Sequence, residues 1–80
     1  MKKQDLETRM IVEVAGGALF MVAGNELVSD LGFVNLDEYN EDLLLKRDTN
    51  YNIVKVYEKV EGLSIIRGVK LFQNVLWTRK

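Results

Sequence analysis

The chain has 80 residues, 48% of them apolar and 29% charged, with a net charge of −1. That is the composition of one small soluble globular domain spanning residues 1–80, not of a disordered tail. Cysteine and histidine are both absent, which removes disulfides, thiolate chemistry, imidazole bases and the usual zinc ligands together. Apolar runs such as Ala18 to Ala23 fall well short of the roughly 20 residues a membrane helix needs. The opening MKKQDLETRM lacks the apolar stretch of a secretory leader, so a cytoplasmic location without membrane contact is expected.

Gln4 to Glu7 reads as a single turn, with Leu6 closing one end of the core. Met10 to Val14 is rich in β-branched residues and too short for a helix with its own apolar face. Ala15-Gly16-Gly17 supplies the positive φ that a tight hairpin requires, and Ala18 to Val22 is the returning strand. After a second turn at Ala23 to Glu26, Leu27 and Val28 continue weakly, and Gly32 to Leu36 is a third strand. Asp37 to Asp42 breaks the pattern with turn-forming and acidic residues. Leu43 to Arg47 fits a strand or a helical turn equally well.

Asn52 to Glu58 is the strongest strand, and alternation predicts that Val54 and Val56 point inward. Within residues 60–72 Leu63, Ile66 and Lys70 fall on one helical stripe, while Gly62 and Gly68 weaken a helix, so helix and strand both stay open. Val75 to Arg79 closes the chain as a final strand. Short strands parted by turns predict a mainly β fold, a small SH3-like barrel or a strongly bent antiparallel sheet. The alternative is an α+β fold with one short helix within 62–73.

In the same order run Leu6, Met10, Val12, Glu13 and Val14, then Tyr39-Asn40-Glu41-Asp42-Leu43, then Asn52-Ile53-Val54-Lys55-Val56-Tyr57-Glu58, then Leu76-Trp77-Thr78-Arg79. This series resembles a group of small uncharacterised proteins of phages and prophages of low-GC Gram-positive bacteria. Their pattern is Y-N-x-D-L, D-I-V-K-V-Y and I-W-x-R. Asn52 stands where an aspartate is usual, and Thr78 where a glutamate is. The resemblance implies a phage or prophage setting and assigns no chemistry.

Charge is unevenly spread. Glu26, Asp30, Asp37, Glu38, Glu41 and Asp42 fall in a stretch without Lys or Arg, leaving eleven bases against six acids elsewhere. Such a stretch can imitate the phosphates of a nucleic acid and occupy a basic groove, with Coulomb steering and salt-sensitive binding. It can equally be a solvated loop balanced in space by Lys or Arg from the termini. The acids do not have the spacing of a calcium loop. Tyr39, Tyr51, Tyr57 and Trp77 can stack on bases or seat a peptide, but Trp77 fits a core position better, and Tyr39 fits either role. Lys2, Lys3 and Arg9, with Arg67, Lys70, Arg79 and Lys80, would form a phosphate patch if the termini meet. Gly16-Gly17 lacks the P-loop pattern.

Ser29 and Ser64 have no histidine partner, and Glu38 with Asp42 is a carboxylate pair with little concavity around it, so no enzyme activity, cofactor or metal is expected. The expectation is a non-enzymatic phage or prophage accessory protein that binds a host protein, such as a defence factor, and inhibits it. Asp37, Glu38, Tyr39, Glu41 and Asp42 are the candidate partner-binding residues. The alternatives are a small nucleic-acid-binding barrel and a structural homo-oligomer joined along a strand edge.

Overall fold

Residues 1–30, 32–59 and 74–79 are described by the computed structural model. The β-branched stretch after Met10 forms β1 (Ile11–Val14), which pairs antiparallel with β2 (Leu19–Ala23), Ile11 opposite Met21 and Glu13 opposite Leu19. The reversal between them needs Gly17 at φ 95°, a backbone conformation that residues with a side chain rarely adopt. Its amide donates to the Val14 carbonyl at 2.8 Å, and the Val14 amide to Ala18 at 3.0 Å. A second reversal at Gly24, φ 60°, leads into β3 (Glu26–Ser29), and a third into β4 (Gly32–Asn35). The weak Leu27-Val28 run is thus a strand in its own right. Leu27 is completely buried, and that burial outweighs the short length of the run.

β5 (Ile53–Tyr57) returns to pair with β1, and β6 (Val75–Thr78) pairs with β5. The six strands of the described residues form one antiparallel sheet in the order β4-β3-β2-β1-β5-β6. The fold is therefore mainly β, as the turn spacing implies. Among the described residues its outer strands β4 and β6 do not pair with one another, so the sheet they form is open rather than closed into a barrel. The helix weighed within 62–73, and the helix-or-strand question over 60–72, lie outside the described residues.

One face of the sheet carries the main core, built from Met10, Val12, Val14, Phe20, Val22, Leu27, Ile53 and Val56. The connection from β4 to β5 folds over that face and adds Leu36, Tyr39, Leu43 and Leu45. A long segment without strands is thus held by four inward side chains, in the place a helix takes in many α+β folds. Leu43 to Arg47 is neither strand nor helical turn; Leu43 sits at φ 69°, fully buried. The opposite face carries a smaller cluster of Ile11, Met21 and Tyr57, flanked by Leu19 and Val28.

Simple alternation fails in β5. Val14 pairs with Ile53 but Glu13 with Lys55, so Val54 is an extra residue in the ladder. This bulge breaks the two-residue period. Ile53 and Val56 both reach the main core at 0% exposure, while Val54 stays half-buried. Of the two valines expected inward, only Val56 is. A second irregularity in β6 leaves Trp77 opposite Val56, packed against the same core and half-buried.

Candidate functional site

The acidic segment starts where β4 ends. Asn35 caps a 3-10 turn over Leu36–Glu38, its side-chain oxygen accepting from the Asp37 amide at 2.9 Å and from Asn25 at 3.2 Å. Residues three apart eclipse in a 3-10 turn, so Leu36 and Tyr39 both face the core and Asp37 and Glu38 both face solvent. The next turn is drawn tight by Asn40, whose side chain accepts from the amides of Asp42 at 2.8 Å and Leu44 at 3.1 Å. Leu43 is thereby driven inward, and Glu41 and Asp42 outward.

The five expected binding residues separate into two groups. Tyr39 is 2% exposed, and its hydroxyl donates to the Tyr51 carbonyl at 2.7 Å. Burial pushes its pKa up to about 12, with the neighbouring Tyr51 and Glu38 adding to the shift, so it stays a neutral donor. Tyr39 is a core residue and offers no stacking surface. Asp42 forms an exposed ion pair with Lys2, and the hydrogen bond from that ammonium holds its carboxyl below the ordinary carboxylate value. The same contact raises the Lys2 pKa. Glu38 pairs with Arg47 at 2.7 Å on the surface. Asp37 and Glu41 are exposed, and among the described residues neither side chain has an ion-pair partner.

The two ends of the chain converge here. The Lys3 amide donates to the Glu41 carbonyl at 2.8 Å, and its ammonium to the Tyr39 carbonyl at 2.9 Å. From the other end, Arg79 donates to the Asp42 carbonyl at 2.7 Å and to the Ile53 carbonyl at 3.0 Å, its guanidinium 5.0 Å from the Trp77 ring centre. Lys2, Lys3 and Arg79, weighed in the sequence as a phosphate patch against merely solubilising ends, strap the acidic turn down. Arg67, Lys70 and Lys80 lie outside the described residues.

Sequence reasoning passed over the surface beside this turn. A depression of about 430 Å³ is lined by Glu38, Tyr39, Asn40, Leu44, Leu45 and Arg47, among others. A second, of about 250 Å³, shares Leu45 and Arg47 with it and continues past Asp48, Tyr51 and Val34 to Phe33. Phe33, on β4, is 66% exposed, the largest exposure of any big apolar side chain described. The only advance signal was a large apolar residue in a short strand between glycine and asparagine, which does not tell an outward ring from an inward one.

Among the described residues no three carboxylates gather as a metal site would require, and no helix is long and apolar enough to cross a membrane. No protein-family model, curated protein or solved structure matches the chain.

Proposed function

We propose that this is a non-enzymatic accessory protein, of phage or prophage origin and acting in the cytoplasm. In this reading it binds a basic surface of a host protein through the acidic face of Asp37, Glu38 and Glu41, and so inhibits a host factor such as a defence protein. The observation that carries the reading is the display of exposed Asp37 and Glu41, neither with an ion-pair partner among the described residues, on turns whose inward residues are buried in the core. A prearranged charged surface loses little freedom on binding and accelerates encounter with an oppositely charged partner. Tyr39 and Asp42 have structural duties in this account. The phage setting rests on the sequence resemblance alone, and the defence factor is one candidate that this setting suggests. A nucleic-acid-binding role has less support, because Tyr39 and Tyr57 are buried and Lys2 and Arg79 are committed to Asp42.

The test is affinity capture from a Gram-positive host lysate at about 50 mM and about 300 mM salt, a range over which exposed charges become strongly screened. The wild type is expected to retain a protein at the lower salt and release it at the higher. The double variant Asp37→Lys/Glu41→Lys is expected to retain none, with a melting temperature within about 2 °C of wild type, since exposed charges contribute little to folding. Equal capture by the variant overturns the reading.

A further inference from the structure

We propose that the outer edge of β4 docks an extended segment of the partner protein, apolar at its centre and basic at its ends, as an added strand of the sheet. This rests on the acidic-face reading above and names how the partner is held. β4 pairs with β3 through an uninterrupted register, Ser29 opposite Gly32 through Glu26 opposite Asn35. Its other side meets no strand among the described residues. Edge strands are usually guarded by lysine, proline, an inward charge or a bulge. Gly32-Phe33-Val34-Asn35 has none of these. Such an edge offers backbone N–H and C=O groups to an incoming chain, the basis of recognition by strand addition.

Shape marks the same place. Phe33 and Val34 are neighbours in β4 and point to opposite faces, and both line two hollows on this side of the sheet. One, of about 250 Å³, reaches Arg47 and Asp48 beside β4; the other, of about 120 Å³, crosses from β4 past Ser29 of β3 to Phe20 of β2. An apolar side chain of an added strand would sit against Phe33 and Val34.

Charge selects the occupant. Asp30 precedes β4, Asp37 and Glu38 follow it, and Glu26 lies opposite its last residue. A second copy added antiparallel about a two-fold axis would set Asp30 of one chain near Asp37 of the other, and like charges across a strand pair repel. A strand with lysine or arginine at both ends meets these acids with opposite charge instead.

A display library of short peptides, two lysines at each end and a randomised centre, is panned on the full chain. Enrichment of sequences with β-branched or aromatic centres is expected. The best peptide should protect the β4 amides from hydrogen exchange, and Phe33→Ser and Asp30→Lys/Asp37→Lys should each weaken it roughly tenfold, or about 1.4 kcal/mol. Methylating alternate backbone nitrogens of the peptide keeps its charge and removes strand pairing, so that form should lose binding. Equal binding by the methylated form overturns strand addition while leaving the acidic-face reading intact. Failure to enrich any peptide, with partner capture still dependent on Asp37 and Glu41, does the same. A concentration-dependent dimer lost in Phe33→Ser overturns it in favour of a second copy.

Discussion

Tyr39 lies among acids in the sequence, yet the spacing of three from Leu36 turns it into the core and commits its hydroxyl to the Tyr51 carbonyl. Tyr39→Phe keeps the ring and leaves that carbonyl without its donor, for an expected loss of about 1 kcal/mol in urea unfolding at neutral pH. The folded-state pKa of about 12 exceeds the ordinary 10.0, so the neutral hydroxyl's contribution is complete below that ordinary value. It is lost as pH rises through the folded value. Wild-type stability should therefore fall more steeply than that of Tyr39→Phe above about pH 10. Tyr57, also raised by burial and by its hydrogen bond to Glu13, contributes to the slope of both proteins. Parallel slopes would show that Tyr39 titrates normally. At Asn52, where the resembling proteins carry aspartate, the side-chain oxygen accepts from the Leu45 amide at 2.8 Å. That bond asks for an oxygen and not for a charge, so the amide fills the position.

In β5 the bulge at Val54 decides which residues belong to the core. Ile53→Ala should cost about 2–5 kcal/mol, the range for truncating a buried large aliphatic side chain, whereas Val54→Ala should cost about 1 kcal/mol or less. Chemical denaturation of the two variants checks this, and a larger loss at Val54 would mean the strand has regular alternation. The elements themselves were largely legible: Gly16-Gly17 marked the first hairpin, and the β-branched run at 53–57 marked the central return strand. Their inward residues were less so, because a single extra residue inverts the parity on which a strand's faces are read. β3 was underread for a related reason, since a fully buried Leu27 is a property of its neighbours.

Across the whole molecule, an acidic middle meets two basic ends. Lys2 and Lys3 from one terminus and Arg79 from the other fasten the turn at 36–45 onto the sheet. Contacts nearly forty residues apart in sequence leave no local trace, so the candidate acids could be named in advance but not divided into structural and free ones. That division leaves Asp37, Glu38 and Glu41 as the outward surface: Asp37 and Glu38 directly follow the β4 edge, and Glu41 adjoins Asp42, whose carbonyl Arg79 holds. At the opposite edge of the sheet from β4, β6 exposes Val75 and Leu76. The central claim is that partner binding falls on the acidic surface and the β4 edge. Hydrogen exchange of the full chain, free and carrying the partner captured from lysate, tests it most directly. Slowed exchange over 32–41, with 75–79 unchanged, is the predicted result; protection confined to 75–79, with β4 exchanging as in the free protein, would contradict it.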